Sequence, residues 1–335
     1  MKKLSLVIGL LLMFSSVFAQ NEITIQAIKQ ISVASSVLNG KQDIKASHYR
    51  LVEIDMQALR AGLKQAAHQN NRRKKADVWL QLPMPNGKMM SYRIVENSTM
   101  APGLAAKFPE IKAYDGYGES NTIAKFDLTP KGFHAMIMKP GEPIVFIDPY
   151  SATDTRYYMV YNIKDFITKK RMRCEVITPP TQTAIFPLKT KFATPYTNCQ
   201  LKKYRLALAA TYSYTQFTGG TKATALAAEV TTVNRINGIY ETDAGITLEL
   251  ISNNEDIICD YTGCPTSPPG PNGVRPYTSG DTEALFAENQ VNVTLIIGAS
   301  NYDIGHVVDA FPATTPDGKV RPSVKTTILK RFRRS

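Results

Sequence analysis

The sequence is poor in residues that bind zinc, because its 335 residues include four histidines and four cysteines. The histidines are His48, His68, His134 and His306, and none precedes a glutamate or lies three to five residues from another. A zinc site on one helix needs two histidines at positions i and i+4, where both rings face the same ion. The cysteines also lack the two-residue spacings of a four-cysteine zinc site. These absences predict no catalytic residue, no cofactor-binding residue and no metal ligand in this chain.

Long apolar runs are absent after the N-terminus, which predicts a protein without a membrane anchor. Residues 4–14 are apolar apart from Ser5 and Gly9, follow two lysines and precede the small-residue exit 17–19. This run is too short to cross a bilayer, which takes roughly 20 apolar residues. Its order of charge, apolar block and small residues is typical of a secretory signal peptide, residues 1–19, removed before Gln20. The alternative is a buried N-terminal helix. Export to the periplasm or medium is therefore expected.

The net charge of +12 does not mark a nucleic-acid-binding surface. Lys2 and Lys3 supply two of these charges and residues 307–335 a net of five, which leaves +5 for the long middle of the chain. Basic clusters at 72–75 and 169–171 have no interleaved aromatic residues on which bases could stack. No nucleic-acid partner is predicted.

Four cysteines in an exported protein permit two disulfides in three connectivities. Cys259 and Cys264 enclose a turn-rich loop of four residues, which favours a bond between them. Cys174 and Cys199 would then form the second bond, although spacing alone leaves all three connectivities open.

Residues 169–200 divide the chain, because their basic, proline-rich and threonine-rich composition predicts an extended linker. Before them, runs of β-branched and aromatic residues alternate with turns, and Asn86-Gly87 between two such runs predicts a hairpin. The strands predicted here are 78–82, 90–95, 122–128, 134–138, 144–147 and 157–161. The first half is therefore expected to be mostly β-structure.

After the linker, strands and helices alternate, which indicates an α/β layer. The predicted elements are strand 204–210, a helix capped by Thr221 or Thr224 and ending at Gly238, strand 246–251, a helix from Asp281 to about Gln290, and strand 293–297. The long helix is inferred from apolar residues spaced by four and three positions. With the β-rich first half, the whole chain belongs to the α+β class.

Several segments resemble bacterial reprolysin-like zinc metalloprotease precursors. Residues 201–209 (Leu-Lys-Lys-Tyr-Arg-Leu-Ala-Leu-Ala) with 214–217 (Tyr-Thr-Gln-Phe) resemble the first strand of these proteases. Residues 229–243 resemble the first long helix and its exit, and 277–280 (Tyr-Thr-Ser-Gly) and 301–306 (Asn-Tyr-Asp-Ile-Gly-His) also fit the pattern. Upstream, residues 82–87, 108–111 and 129–136 are similar to the prodomain of the same precursors. The resemblance covers most of residues 50–306.

The resemblance implies a β-rich prodomain that maintains latency, followed by the N-terminal part of a metzincin-like α/β catalytic domain with a mixed sheet. The implied organisation is signal peptide 1–19, prodomain 20–168, linker 169–200, metalloprotease-like region 201–306 and a divergent basic tail 307–335. Intact members bind zinc through His-Glu-x-x-His-x-x-Gly-x-x-His on a second long helix, with the glutamate as general base. No zinc is expected for this chain, because that motif is absent.

The resemblance makes Cys174 and His306 weak candidates for functional roles. Cys174 follows a basic run near the prodomain exit and would be a latency cysteine, whose thiolate caps the zinc of an intact relative. The competing interpretation is the disulfide with Cys199. His306 closes the last family motif, and a structural role at a strand end is favoured over metal binding. Glu229 and the pair Glu241 and Asp243 are interpreted as solvated or capping carboxylates.

The function implied by the family is that of a secreted zinc-dependent metalloendopeptidase. This chain is expected to be inactive, because it lacks the zinc-binding motif. A truncated or frameshifted gene, a fragmentary sequence and a natural noncatalytic paralogue are the three explanations considered. The alternative function is a noncatalytic secreted module for binding or inhibition. Expected partners are protein or peptide substrates or a full-length relative.

Overall fold

A computed structural model describes residues 22–32, 38, 42, 44–69, 77–167, 200–261, 277–314 and 320–330. The predicted signal peptide and nearly all of the predicted linker lie outside these residues, as do Cys174, Cys199 and Cys264. The proposed domain boundaries therefore remain predictions. Among the described residues, no helix combines the length and the apolar character needed to cross a membrane.

In its described residues, the N-terminal half consists of one large mixed sheet with two short helices. Its strands are β1 (Glu22–Ile25), β2 (Ile28–Ile31), β3 (Arg50–Ile54), β4 (Ala67–His68), β5 (Asp77–Pro83), β6 (Met89–Glu96), β7 (Lys112–Tyr117), β8 (Ile123–Thr129), β9 (Gly132–Met138), β10 (Val145–Ser151) and β11 (Asp154–Asn162). The helices are α1 (Met56–Leu63) and α2 (Pro102–Lys107), with single 3-10 turns at Glu119–Asn121 and Ile163–Asp165. The strand order is β1-β5-β6-β7-β8-β9-β10-β11-β3-β2, with β4 beside β6. The expected β-rich first half is confirmed.

The predicted hairpin is present between β5 and β6, which pair antiparallel. Gly87 has a φ of +86°, a left-handed conformation that glycine adopts at little cost. Asn86 stabilises the turn by accepting a hydrogen bond from Lys88 N at 3.0 Å. Strands from the other end of the sheet contact this turn. Gln30 Nε2 of β2 donates to Gly87 O at 2.7 Å, and Arg50 Nε of β3 donates to Pro85 O at 2.7 Å.

The C-terminal half is a smaller sheet with helices. Its elements are β12 (Lys202–Ala210), α3 (Tyr212–Thr218), α4 (Lys222–Ala244), β13 (Ile246–Leu250), a 3-10 turn (Asn254–Ile257), α5 (Thr282–Ile296), β14 (Ile304–Thr314) and β15 (Val320–Lys330). The strand order is β13-β12-β14-β15. Strand β12 is parallel to β13 and β14, and β15 returns antiparallel. The predicted strands 204–210 and 246–251 are therefore present as parallel neighbours connected by α4, as in an α/β layer.

The predicted strand at 293–297 is wrong, because α5 continues through Ile296. Leu285, Asn289, Val293 and Ile297 recur every four residues and are all buried, so this run lies on the inner side of a helix. A short apolar run does not distinguish a buried strand from a buried helix segment, and here the longer period decides. The third strand is β14 instead, and it includes residues 307–314.

The predicted end of the long helix at Gly238 is also wrong. Thr221 is the N-cap as expected, but α4 runs on to Ala244 and ends at Gly245, whose φ is +63°. Gly238 lies inside the helix because the large sheet is very close there. A Cβ at this position would lie 2.7 Å from Met136 Cε, 2.8 Å from Met138 Cε and 2.9 Å from Lys125 Cγ. The glycine therefore permits packing between the two halves.

Candidate functional site

Helix α4 lies between the two sheets and contacts both. Its apolar side, with Leu226, Val230 and Val233, packs on β12, β13 and β14 of the smaller sheet. Met100 and Leu104 of the N-terminal half belong to the same apolar core. The two halves therefore share a core in addition to the polar contacts that follow.

The large sheet presents a charged face to α4. Successive side chains in a strand point to opposite faces, so alternate residues of β7–β10 lie on two different faces of the sheet. Apolar residues such as Tyr114, Phe126 and Phe133 fill the core of the N-terminal half. The opposite face also has apolar residues, but it includes five polar or charged side chains that are largely buried: Asp115, Lys125, Asp127, His134 and Asp148. We call these five residues the charged face.

Lys125 is the most enclosed cation of the charged face, with 2% of its side chain exposed. Its Nζ donates to Asp115 Oδ1 at 2.8 Å and to Glu241 Oε2 of α4 at 2.5 Å. Burial by itself lowers the pKa of Lys125, but the two carboxylates outweigh burial and raise it above its usual value. Glu241 also accepts from Thr247 Oγ1 at 2.7 Å. Glu241 is therefore half-buried in an ion pair, contrary to the predicted solvated or capping role.

Asp127 and Asp148 bind two further side chains of α4. Asp127 Oδ1 accepts from Thr231 Oγ1 at 2.8 Å and lies 3.0 Å from His134 Nδ1. Asp148 Oδ1 accepts from Arg235 Nη2 at 2.5 Å, and its Oδ2 accepts from the Tyr161 hydroxyl at 2.8 Å. The Arg235 guanidinium also lies 5.0 Å from the centre of the Phe146 ring, where a cation–π attraction adds to the ion pair.

An amide pair and backbone bonds complete the contact between the halves. Asn97 Nδ2 donates to Asn234 Oδ1 at 2.9 Å, and Asn234 Nδ2 donates to Phe126 O at 3.0 Å. At the edge of the smaller sheet, Leu250 N donates to Thr99 O and Ala101 N donates to Leu250 O, both at 2.9 Å. The N-terminal half thus pairs with the outer edge of β13. Sequence reasoning missed this whole contact, although charged residues such as Lys125 and Asp127 inside a predicted strand were a usable signal.

Glu229 is buried inside the C-terminal half, which corrects its interpretation as a solvated or capping residue. It is 1% exposed, and its Oε2 accepts from Asn254 Nδ2 at 3.0 Å. The same amide nitrogen donates to Leu208 O at 3.0 Å, and Leu208 N donates to Asn254 Oδ1 at 2.8 Å. Burial raises the pKa of Glu229 well above its usual value, and the Asn254 hydrogen bond offsets this only in part. Burial therefore favours the neutral form of this carboxyl over its charged form.

We expect Glu229→Gln to stabilise the protein increasingly as pH rises. A pKa raised by folding makes the native state lose stability with rising pH, from the unfolded pKa near 4.3 up to the folded pKa. The loss is about 1.4 kcal/mol per pH unit inside that window, and glutamine, which resembles the neutral acid, removes it. Urea unfolding at pH 5, 6 and 7 measures the difference. The exposed control Glu110→Gln should show no such trend, and a pH-independent gap for Glu229→Gln would contradict the assignment.

Asp309 holds in place residues 277–280, one of the segments that resemble the reprolysin-like family. It is fully buried in β14, where its Oδ1 accepts from Thr211 Oγ1 at 2.6 Å and from Ser279 Oγ at 2.8 Å. Its Oδ2 accepts from Gly280 N at 2.7 Å. One carboxylate therefore holds the start of α3, the 277–280 segment and β14 together.

The histidines do not meet at a common point. His48 pairs with Asp165, His68 lies in β4, and His134 pairs with Asp127 in the charged face. His306 is the third residue of β14, between Leu208 of β12 and Ile328 of β15, and burial lowers its pKa to about 4. Within the described parts of the chain, no three His, Cys, Asp or Glu residues are grouped as metal ligands. Among the described residues, the four imidazole rings lie on separate segments and do not form a three-histidine zinc site.

Of the four cysteines, only Cys259 lies among the described residues. Cys259 is buried and disulfide-bonded, and its backbone N–H donates to Ala210 O at 3.0 Å. Its sulfur partner lies outside the described residues, so the expected bond to Cys264 stays a prediction. Cys174 lies outside them too, and both of its proposed roles stay open.

The fold of the C-terminal half defines the class to which it belongs. Its mixed sheet has a long helix that connects two parallel strands, and a third parallel strand follows a second helix. Residues 200–320 match the family described as metallo-peptidase family M12B, reprolysin-like. This region is therefore a reprolysin-like metallopeptidase region of the metzincin type, and the resemblance seen in the sequence is confirmed. No curated protein matches the chain.

Proposed function

We propose that this chain is the front part of a secreted zinc-dependent metalloendopeptidase precursor. Residues 20–168 act as its prodomain, and the region that begins at residue 201 contributes the first strands and helices of the peptidase fold. The observation that carries the proposal is the reprolysin-like match over residues 200–320. The charged face supports the prodomain role, because it binds the first long helix of the peptidase region through buried ion pairs.

The polypeptide of 335 residues is proposed to have no peptidase activity of its own. Its four histidines lie on separate segments, and its sequence has no His-Glu-x-x-His. A zinc centre of three histidines requires ligand nitrogens at about 2.0–2.1 Å from one ion. We expect no sub-micromolar zinc binding by calorimetry and no casein cleavage. Stoichiometric tight binding together with chelator-sensitive cleavage would overturn the proposal.

Export is a separate part of the proposal, with its own test. Residues 1–19 have the charge, apolar block and small-residue exit of a signal peptide. Expression in a Gram-negative host should yield a mature protein in the periplasm or medium that begins at or near Gln20, as measured by intact mass. A mature protein that keeps Met1 would contradict export.

The second candidate function is a noncatalytic binding or inhibitory module. The extensive contact between the N-terminal half and α4 favours it, because such a surface can hold a relative of the peptidase as well as its own chain. The encoding DNA separates the two candidates. A His-Glu-x-x-His reading frame shortly downstream supports a peptidase precursor, and its absence supports a noncatalytic protein.

A further inference from the structure

The side chains of α4 that contact the charged face form one continuous stripe. Thr231, Asn234, Arg235, Gly238 and Glu241 follow the three- and four-residue spacing of a helix face. Thr231, Arg235 and Glu241 each contact a charged side chain of the N-terminal half. Asn234 contacts an amide and a backbone carbonyl there. At Gly238, the large sheet is so close that a Cβ would require its side chains to shift. We call these five residues the recognition stripe.

The polar character of this contact makes it selective. A buried charge that loses its partner costs far more than an apolar contact of the same size, so a helix lacking the correct group is rejected. Arg235 must meet Asp148 and Glu241 must meet Lys125, which places a positive and a negative group at defined positions along the helix. A bulky residue at position 238 would meet Met136 and Met138.

We propose that residues 22–167 form a helix-recognition module that identifies its partner by the recognition stripe. The partner is a helix bearing this stripe, either in the same chain or in a second copy of this chain. The module therefore stays bound after the connecting segment is cut, and it accepts α4 from another copy. This inference deepens the prodomain proposal by naming the partner, but its test uses neither zinc nor peptidase activity, so the two can fail independently.

The test uses the full chain with a site for a specific protease inserted directly after Ile167. All four cysteines then remain in the C-terminal fragment, so no disulfide can join the two fragments after cutting. The cut wild-type protein should elute as a one-to-one complex at about 1 µM. Separation of the fragments at this concentration would overturn the proposal.

Two neighbouring threonines provide a matched pair of variants. Both hydroxyls, of Thr231 and Thr232, lie within hydrogen-bond distance of the carbonyl four residues earlier, but Thr231 Oγ1 also reaches Asp127. Thr231→Ala should weaken the cut complex by about 10-fold or more, because a hydrogen bond to a buried charge is lost. Thr232→Ala should leave its affinity unchanged. Equal affinities for the two variants would overturn the assignment of Thr231.

A charge exchange tests the stripe more severely. Arg235→Glu should weaken the cut complex by about 100-fold or more, and adding Asp148→Arg should recover part of the loss. Arg205→Glu, at an exposed ion pair with Asp303, makes the same charge change away from α4 and should have little effect. Circular dichroism of the uncut variants shows that each is folded. No loss with Arg235→Glu, or no recovery in the double variant, would overturn the proposal.

Recognition between copies is tested with isotopically heavy and light cut proteins. The two are mixed in urea that separates the fragments, diluted and examined by native mass spectrometry. Hybrid complexes should appear in the statistical ratio of one heavy, two hybrid and one light. Complexes that re-form without hybrids, or fragments that stay apart, would overturn recognition in trans.

Discussion

Lys125→Met is expected to destabilise the protein by about 3–5 kcal/mol, the typical cost of removing one partner from a buried ion pair. The variant leaves Asp115 buried beside Glu241 without the cation that both carboxylates contact. Methionine has a similar length, so lost volume contributes little. Urea unfolding at pH 7 monitored by circular dichroism measures the effect.

Lys139→Met is the matched control for this variant. Lys139 pairs with Glu142 three residues later at the surface, where ion pairs contribute roughly 0–1 kcal/mol. The salt dependence separates the two sites further, because screening weakens exposed pairs more than buried ones. If both variants changed stability equally, Lys125 would have no special role in the contact between the halves.

Asp309→Ala should also be damaging, with a loss of about 2 kcal/mol or more. The substitution removes the acceptor shared by Thr211 Oγ1, Ser279 Oγ and Gly280 N. Thr211 is buried, where an unsatisfied donor costs about 1–3 kcal/mol, whereas Ser279 is exposed and its hydroxyl can bond to water. Because these donors lie on separate segments, we also expect faster amide hydrogen exchange in residues 277–285. Unfolding curves and exchange measured by mass spectrometry provide both readouts.

Asp243→Ala controls for the loss of a carboxylate. Asp243 is exposed in the last turn of α4, where a negative charge opposes the helix dipole. Its replacement should change stability by less than about 0.5 kcal/mol. Asp309→Ala with an equally small effect would show that the three donors find other partners.

Much of the fold was predictable, because local patterns dominate in its strands and first long helix. The Asn-Gly turn, the alternation of β5 and β6 and the Thr221 cap depend on neighbouring residues, and each was found where expected. The errors occurred where a local signal competes with distant contacts. From the local sequence, Gly238 is typical of a helix end, but it lies inside α4 at a position where the large sheet is very close. In the run 293–297, Val293 and Ile297 are buried while Leu295 is exposed, which is the spacing of a helix face, so the apolar composition alone does not specify its conformation.

The candidate site was less predictable than the fold. Glu229 lies on a helix with many polar neighbours, so its sequence context indicated a surface carboxylate, whereas the tertiary structure surrounds it with apolar residues and Asn254. Glu241 likewise pairs with Lys125, which lies 116 residues earlier in the chain. No local pattern encodes such a partner, since the pair is made when two separately formed elements pack together.

By itself, the sequence determined the family resemblance, the α+β class and the absence of a His-Glu-x-x-His motif, because each depends on residue order alone. Only the tertiary structure decided that α4 contacts both halves, that Gly238 lies directly against the large sheet and that Asp309 joins three segments. These features depend on which strand face meets which helix face. That choice follows from burying apolar surface on one side of the large sheet, which turns Lys125, Asp127 and Asp148 toward α4 on the other.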